Sequence, residues 1–260
     1  MICDFSPVAF QIFGFSIHWY SFAYIFGLLI AVKLTEFLAV RSEQSEHLMF
    51  ARDFLNYAII GIVVGGRLGH VLFYGLQYYT ENYFEILKVW KGGMSFFGGF
   101  VGVVFVTYVY CRKQKIDFLR FIDLWAVSVP IGLFLGRIAN FINGELLGKA
   151  TYSPWYVIFA DGVPRHPSQL YEAFLEGVLL FLIMIFAFYK KAHKYHGMLS
   201  GIFCVGYGVA RIIGEFFREP DSLFSAELLH AYGINLNQLM SVGIILLGSA
   251  LIYRSTKRCE

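Results

Sequence analysis

Seven apolar stretches, each close to the length of a bilayer-spanning helix, constrain this chain more than any other feature of its sequence. A transmembrane helix needs about 20 apolar residues to cross the hydrocarbon core, and it satisfies its backbone hydrogen bonds internally. Only 15% of the residues are charged and the mean hydropathy is +0.61, which excludes an ordinary soluble domain. The sequence therefore predicts an all-α membrane protein folded as a seven-transmembrane-helix bundle. The predicted spans cover residues 15–35, 54–76, 93–111, 121–140, 169–189, 197–217 and 236–253.

The lysines and arginines outside these spans predict the orientation of the chain. Cytoplasmic loops retain basic residues, whereas translocated loops are poor in them. The ends of the first, third, fifth and seventh spans are basic, so we expect the N-terminus outside and the C-terminus inside. The connection after the second span is the weakest evidence, because Lys88 and Lys91 there oppose Glu81 and Glu85. The basic residues on which the prediction depends are Arg41, Arg52, Arg112, Lys113, Lys115, Arg120, Lys190, Lys191, Lys194, Arg254, Lys257 and Arg258.

No internal repeat or linker divides the sequence, so residues 1–260 are predicted to form one integral membrane domain. The longest segment between spans, residues 141–168, is predicted to lie outside as a small head or lid. In the second span, Gly61, Gly65 and Gly69 recur every four residues. This pattern predicts close packing against another helix.

Three arginines occupy predicted spans, where a charged side chain is costly and needs a partner or a polar cavity. Arg67, Arg137 and Arg211 lie in the second, fourth and sixth spans. Counted from the cytoplasmic end at about 1.5 Å per residue, each lies roughly 20 Å up, in the outer half of the bilayer. We therefore expect the three cations to share one depth.

Other polar residues are predicted near the same level. In the sixth span, spacings of four, four and three place Tyr207, Arg211, Glu215 and Arg218 on one helix face. Salt bridges that fix helix register, beside an interfacial belt of aromatic residues, are one interpretation. An excess of cations at one depth favours the other, an anion pocket, because guanidinium groups match the phosphate oxygens of a phospholipid headgroup. The remaining members of the set are Arg137, Asn140, Asn143, Gly144, Glu145, His18, Trp19, Tyr20 and Tyr24.

Several other classes of site find no support. The seven histidines include no tight i, i+4 pair, no cysteine cluster accompanies them, and no Walker-type loop occurs. The net charge of +3 is too small to indicate nucleic acid. We therefore expect no metal, no cofactor and no nucleic-acid partner.

The motif GRIANFINGELLGK at residues 136–149 is the most specific of five that follow one another along the chain. The others are HWY at 18–20, GGMSF at 92–96, RHPSQLYE at 165–172 and GYGVARIIGEFFREPD at 206–221. Together they resemble those of bacterial phosphatidylglycerol:prolipoprotein diacylglyceryl transferases, from the first span to the seventh. The resemblance implies a multi-pass enzyme of the bacterial inner (plasma) membrane with its active site toward the periplasm.

The resemblance also implies the reaction and its partners. The diacylglyceryl group of phosphatidylglycerol would pass to the lipobox cysteine thiol in the signal peptide of a preprolipoprotein, forming a thioether and releasing glycerol phosphate. This is the first step of lipoprotein maturation, and the other partners are membrane lipids. The thiol must lose its proton, and preorganised donors must meet the charge of the leaving phosphate.

The matched motifs imply roles for individual residues. Arg137 is expected to bind the phosphatidylglycerol headgroup, and Arg211 to help stabilise the departing phosphate. Glu145 either orients an arginine or accepts the thiol proton, and these alternatives stay open. Asn140 and Asn143 hold glycerol hydroxyls or backbone turns. The remaining predicted residues are the hydroxyl donors Tyr20 and Tyr207, Gly148 for close backbone approach, and Glu215 and Arg218 in the phosphatidylglycerol site.

The chain departs from the family pattern at Phe97. Many members read GGMSFHGG, and the histidine there is implicated in catalysis, whereas this chain reads GGMSFFGG. An imidazole base is therefore missing at that position. His70, three residues after Arg67, is our candidate for a compensating base; otherwise His70 is a packing residue and the histidine is dispensable.

Two other functions compete with transfer. A lipid transporter or flippase also needs intramembrane arginines, but we would expect charges on both sides of the midplane or paired repeats. A catalytically impaired relative that binds lipid or signal peptides is the second, and Phe97 keeps it open.

Overall fold

The computed structural model describes residues 5–12, 15–42, 47–220 and 230–257. Six of the described helices are long and apolar enough to cross a membrane, which confirms the prediction of a helical membrane protein. The third predicted span also forms a helix, α4, of 19 residues, which is not among those six. The elements are β1 (Val8–Ile12), β2 (Phe15–His18), α1 (Trp19–Arg41), α2 (His47–Tyr74), α3 (Leu76–Glu81), α4 (Phe96–Gln114), α5 (Phe118–Asn143), β3 (Val157–Ile158), β4 (Pro164–Arg165), α6 (Ser168–Tyr189), α7 (Met198–Glu215) and α8 (Leu236–Lys257).

The first predicted span begins too early. Residues Phe15–His18 form β2, which pairs antiparallel with β1, and α1 begins at Trp19. Aromatic and β-branched side chains suit an extended strand as well as a lipid-facing helix. Hydropathy therefore does not separate this hairpin from the helix that follows it.

The chain divides into two compact units, which we describe separately. One comprises Met1–Thr35 with Ile122–Glu260, and the other comprises Glu36–Phe121. The organisation of the chain as a single membrane domain stays a prediction.

In the unit Glu36–Phe121, α2 and α4 pack through glycines on both helices. A Cβ atom added at Gly65 would collide with the carbonyl oxygen of Gly98 and lie 2.8 Å from the Cα atom of Gly102. Cβ atoms at Gly61 and Gly69 would lie 3.0 Å and 2.6 Å from backbone atoms of the same two glycines. A side chain has no room here, so the predicted close packing of the glycine stripe is confirmed.

Arg67 on α2 binds the connection that leads to α4. Its Nε donates to the carbonyl oxygen of Ile86 at 2.9 Å, and its Nη2 donates to that of Glu85 at 2.6 Å. Its Nη1 donates to the carbonyls of Gly92 at 2.5 Å and Gly93 at 3.2 Å. Backbone carbonyls thus satisfy this buried guanidinium, while its predicted common depth with Arg137 and Arg211 stays a prediction.

In the other unit, Asp123 of α5 caps the beginning of α7. Its carboxylate accepts hydrogen bonds from the N–H groups of Gly197 at 2.7 Å and Ser200 at 2.8 Å, and from the Ser200 hydroxyl at 2.6 Å. The first N–H groups of a helix have no partner inside it, and they attract a carboxylate. The cap therefore fixes where the helix that carries Arg211 begins.

Helix α6 contains a π-helical turn over Ala173–Leu179. Such wide turns are rare, and they occur frequently at functional sites. Glu172 immediately precedes the turn and Glu176 lies within it, and both are fully buried. The turn thus places two carboxylates inside the protein.

Within the predicted head at residues 141–168, residues 144–167 form a small β structure between α5 and α6. Strands β3 and β4 pair antiparallel, and isolated bridges join Ala150 to Arg165 and Gly148 to Arg218. The position of this segment in the chain is that of the predicted head, while its action as a lid stays a prediction. The hydrophobic core of the segment contains Phe141, Val157 and Phe159.

Candidate functional site

Arg137 of α5 forms two ion pairs with α6. Its Nη1 lies 2.9 Å from Oε2 of Glu172. Its Nε and Nη2 lie 3.1 Å and 3.0 Å from Oε2 of Glu176. Contacts made by several N–H groups of one guanidinium fix its plane, so α6 sets the orientation of Arg137.

Arg211 of α7 binds the same two carboxylates from the other side. Its Nη1 lies 2.8 Å from Oε1 of Glu172 and 3.2 Å from Oε1 of Glu176. Its Nη2 donates to Oε1 of Glu215, one turn further along α7. Glu172 and Glu176 thus bridge Arg137 and Arg211, and three helices meet at these four side chains.

Arg218 and two asparagines surround this meeting point. Nη1 of Arg218 lies 3.4 Å from Oε1 of Glu172. Glu215 accepts hydrogen bonds from the amides of Asn235 at 2.9 Å and Asn237 at 3.0 Å. The carboxylate of Glu215 is therefore held between α7 and the beginning of α8.

We call the six charged residues at this point the arginine–glutamate cluster. The side chains of its glutamates are fully buried, and those of Arg137, Arg211 and Arg218 are 13%, 9% and 4% exposed. Three positive and three negative formal charges balance, so the predicted excess of cations is wrong for the described residues. An uncompensated buried charge is strongly destabilising, which explains the balance. The cluster consists of Arg137, Arg211, Arg218, Glu172, Glu176 and Glu215.

Glu172 and Glu176 are the site residues that sequence reasoning missed. They lie four residues apart in the fifth predicted span, and Glu172 ends the motif RHPSQLYE. A carboxylate in a span is as costly as an arginine and marks a functional site for the same reason. If glutamates inside the predicted spans are searched for in the same way as arginines, both residues are found.

Tyr207 lies on α7 one turn before Arg211, on the helix face predicted to carry Arg211 and Glu215. Its ring stacks on that of Phe203 with the centroids 5.8 Å apart. Tyr207 therefore lies one helical turn from Arg211, on the helix that carries this arginine of the arginine–glutamate cluster.

A second polar group, which we call the Glu145 group, joins α1 to the end of α5. The Tyr20 hydroxyl donates to Oε2 of Glu145 at 2.8 Å, and the amide of Asn140 donates to the Tyr20 hydroxyl. Nδ2 of Asn143 lies 3.4 Å from Oε1 of Glu145. Oδ1 of Asn143 is buried without a hydrogen-bond partner among the described residues. Four predicted site residues thus converge in this group: Tyr20, Asn140, Asn143 and Glu145.

The contacts of Glu145 separate its two predicted roles. In the part of the chain that the structure describes, Glu145 pairs with no arginine, so it does not orient one there. Its side chain is exposed, and Gln169 of α6 donates to its backbone oxygen at 2.6 Å. Asn140 lies one turn after Arg137 on α5, so the two polar groups occupy neighbouring turns. The role of Glu145 as acceptor of the thiol proton stays a prediction.

The close backbone approach predicted at Gly148 is made by other backbone segments of the protein. A Cβ atom there would collide with the carbonyl oxygen of His166 and lie 3.0 Å from that of Phe217. Lys149 also donates its backbone N–H to the Phe217 carbonyl at 2.8 Å. Only glycine fits between these two stretches of backbone, so Gly148 is required by the packing of the segment 141–168.

Arg165 links the segment 141–168 to the residues that follow α7. Its Nε lies 2.6 Å from Oδ2 of Asp161, and its Nη1 lies 2.5 Å from Oε1 of Glu219 and 2.9 Å from the Gly148 carbonyl. Desolvation opposes the charged form of Asp161, but hydrogen bonds from Val163 and Arg165 prevail and lower the pKa of this carboxyl. The paired carboxylates likewise outweigh desolvation and raise the pKa of Arg165. Asp161 and Arg165 therefore both stay charged near neutral pH.

His70, the predicted compensating base, lies on α2 beside the connection that Arg67 binds. Its ring meets that of Tyr79 edge to face, with the centroids 6.2 Å apart. Nε2 of His70 would lie 2.7 Å from a Cβ atom at Gly93. The side chain of Phe97 lies outside the described residues. The catalytic role of His70 stays a prediction.

The six membrane-length helices and the buried arginine–glutamate cluster define an integral membrane protein with a polar site built between its helices. The family model described as prolipoprotein diacylglyceryl transferase matches residues 7–254. The chain therefore belongs to this family, as its motifs predicted.

Curated relatives agree with this assignment over nearly their full length. The chain is 46% identical over 256 residues to the phosphatidylglycerol–prolipoprotein diacylglyceryl transferase of Rickettsia felis, covering 97% of this chain and 98% of the relative. It is 45% identical to the protein of the same name from Rickettsia canadensis, covering 96% and 97% of the two chains. The relative from Rickettsia typhi is 46% identical and covers 96% of each chain.

Proposed function

We propose that this chain transfers the diacylglyceryl group of phosphatidylglycerol to the lipobox cysteine of a preprolipoprotein. The cysteine thiolate attacks the lipid glycerol carbon, so that a C–S bond forms, the bond from carbon to the phosphate oxygen breaks, and glycerol phosphate leaves. Family membership over nearly the whole chain supports this reaction. One observation carries the proposal: Glu172 and Glu176 of α6 form ion pairs with both Arg137 of α5 and Arg211 of α7, and so hold the two arginines together.

Arg137 and Arg211 bind the phosphate and stabilise the charge that develops on it. Arg137 is the most exposed arginine of the cluster, so the headgroup meets its guanidinium first. Donors held in place before the reaction, in a site poor in water, stabilise a developing anion at no cost in reorganisation. Arg218, which pairs with Glu172, and Tyr207, one turn before Arg211, support the same charge.

Glu145 accepts the thiol proton. Its exposed side chain is accessible to a substrate, and the hydrogen bond from Tyr20 orients its carboxylate. A general base must lie within hydrogen-bond reach of the proton it takes, and only the thiolate is an effective nucleophile. The buried Oδ1 of Asn143 offers an acceptor for a glycerol hydroxyl beside this base.

The site opens to the periplasmic side of the bacterial inner membrane in this proposal. The basic connections favour an N-terminus outside, with α4 as the third of seven spans. Tyr20 lies at the beginning of α1, and Glu145 follows the end of α5. In this orientation both residues lie at the outer interface. A phospholipid and a membrane-inserted signal peptide can therefore both reach the site from the bilayer.

Transfer from phosphatidylglycerol to a lipobox peptide, measured with the purified protein, tests the proposal. We expect thioether formation by the wild type and a loss of about 100-fold or more in kcat for Arg137→Ala, which removes a donor to the leaving phosphate. Arg120→Ala is the matched control, since it removes a guanidinium from the cytoplasmic end of the same helix. It should transfer at the wild-type rate.

Two results would contradict this function. A folded wild type that binds phosphatidylglycerol and lipobox peptide but forms no thioether would be the impaired binding relative. Lipid movement between leaflets without thioether formation would indicate a transporter.

A further inference from the structure

Glu172 and Glu176 take no part in the chemistry proposed above, yet they are the most deeply buried charges that touch both arginines. A site that binds a phosphate gains nothing in affinity from two carboxylates. Each negative charge close to the guanidinium groups weakens their attraction for an anion. Their presence inside an anion site therefore needs a reason beyond binding.

The geometry shows that these carboxylates do more than neutralise charge. In Glu172, Oε2 faces Arg137 at 2.9 Å and Oε1 faces Arg211 at 2.8 Å. In Glu176, Oε2 faces Arg137 at 3.0 Å and Oε1 faces Arg211 at 3.2 Å. Oε1 of Glu176 also accepts from Nη2 of Arg137 at 3.4 Å. Each carboxylate thus spans the gap between two helices and contacts both guanidinium groups, and it sets their separation.

The charge of the phosphate changes during the reaction. Phosphatidylglycerol arrives as a phosphodiester with a single negative charge, whereas glycerol phosphate leaves as a monoester whose second proton dissociates at a pKa of about 6. The product is therefore attracted to the arginines more strongly than the substrate. Uncompensated arginines at this point would retain the product and slow turnover.

We propose that Glu172 and Glu176 are positioning residues that fix the separation of Arg137 and Arg211 and limit the positive charge of the site, so that glycerol phosphate is released after transfer. This inference rests on the proposed transferase function. The π-helical turn of α6 is the local device that presents both carboxylates to the two arginines. Glu215 already pairs with Arg211 within α7, so neutralising Arg211 alone does not require two bridging carboxylates from α6.

Binding of glycerol phosphate to the purified protein, measured by calorimetry, tests the inference without turnover. Glu176→Gln keeps the size of the side chain and removes its charge, so we expect glycerol phosphate to bind about tenfold more tightly or better. In steady-state transfer the same variant should show stronger product inhibition, a lower KM for phosphatidylglycerol and a lower kcat. A purely structural role of Glu176 predicts no gain in product affinity.

Two further variants separate charge from position. Glu176→Asp keeps the charge on a shorter side chain, so its product affinity should stay at the wild-type level while kcat falls. Glu219→Gln is the matched control, because Glu219 pairs with Arg165 outside the arginine–glutamate cluster, and it should change neither quantity. Glu172→Gln removes the other bridging charge and provides the same test if Glu176→Gln does not fold.

Glycerol phosphate binding that is unchanged or weaker in a folded Glu172→Gln or Glu176→Gln protein would overturn the inference. A wild type that transfers nothing would instead overturn the proposed function. The two failures are distinguishable because product binding is measured in the absence of phosphatidylglycerol and peptide.

Discussion

Glu145 and His70 are the two candidate acceptors of the thiol proton. Glu145 is exposed and oriented by the Tyr20 hydroxyl, whereas His70 packs against Tyr79 and the backbone at Gly93. We expect Glu145→Gln to lower kcat by about 100-fold or more, because the amide cannot take a proton. His70→Phe should retain transfer, and single-turnover rates for both variants check this prediction.

The opposite result has an equally definite meaning. Loss of transfer in His70→Phe, with Glu145→Gln still active, would establish His70 as the base that replaces the histidine missing at position 97. Tyr79→Phe serves as a control for packing, since it keeps the aromatic ring that His70 contacts. A similar loss in that variant would assign the effect to the fold of the connection and not to a base.

At the residue scale, the sequence predicts the costly groups better than their partners. Arg137 and Arg211 were identifiable because a guanidinium in an apolar run demands compensation. Their bridging partners Glu172 and Glu176 were missed because the search for charged residues inside the spans considered only arginines. The pairing of Tyr20 with Glu145 joins residues 125 positions apart, which no local spacing can predict.

At the scale of single elements, the cap of α7 by Asp123 gives a prediction about stability. Asp123→Ala leaves the buried N–H groups of Gly197 and Ser200 without their acceptor, which should cost about 1–3 kcal/mol. Thermal unfolding in detergent measures this loss as a lower Tm. The displaced start of α7 should also reduce transfer, because the same helix carries Arg211.

Asp117→Ala is the matched control for this cap. Asp117 accepts a hydrogen bond from the N–H group of Arg120 at 2.8 Å, at the exposed beginning of α5. Water can replace an exposed acceptor, so the loss of stability should be smaller than for Asp123→Ala. Equal losses from the two substitutions would contradict a special role for the buried cap.

Elements that follow from local chemistry were predictable, and elements that depend on distant pairing were not. The spacing of Gly61, Gly65 and Gly69 predicted a close helix contact, and α2 packs on α4 through these glycines. The hairpin of β1 and β2 resembles a lipid-facing run in composition, because strand-forming side chains are also apolar. The π-helical turn of α6 changes only which backbone groups form hydrogen bonds with one another, so the hydropathy of the sequence does not predict it.

At the scale of the whole molecule, membrane crossing was the easiest property to predict. Apolar length fixes it, and six helices meet that criterion among the described residues. The expected anion pocket was a different matter, since the predicted set contained Glu145 and Glu215 but not Glu172 and Glu176, and these two carboxylates remove the excess of cations. The net charge of a buried site depends on the charged side chains of every element that reaches it. Examining one span at a time does not show which of these side chains meet.

The orientation of the chain is the remaining whole-molecule prediction, and cysteine labelling measures it. After replacement of Cys3, Cys111, Cys204 and Cys259 by serine, one cysteine is introduced at Tyr152 or at Tyr195. Tyr152 is 96% exposed in the segment 141–168, and Tyr195 is 39% exposed in the connection between α6 and α7.

A maleimide that cannot cross the membrane should label Tyr152→Cys in cells with a permeable outer membrane. It should label Tyr195→Cys only after the inner membrane is opened, because the basic connection that contains Tyr195 is expected in the cytoplasm. The two positions flank one spanning helix, so they must lie on opposite sides if α6 crosses the membrane. Labelling of Tyr195→Cys alone would place residues 141–168 and Glu145 in the cytoplasm, where a translocated lipobox cysteine could not reach them.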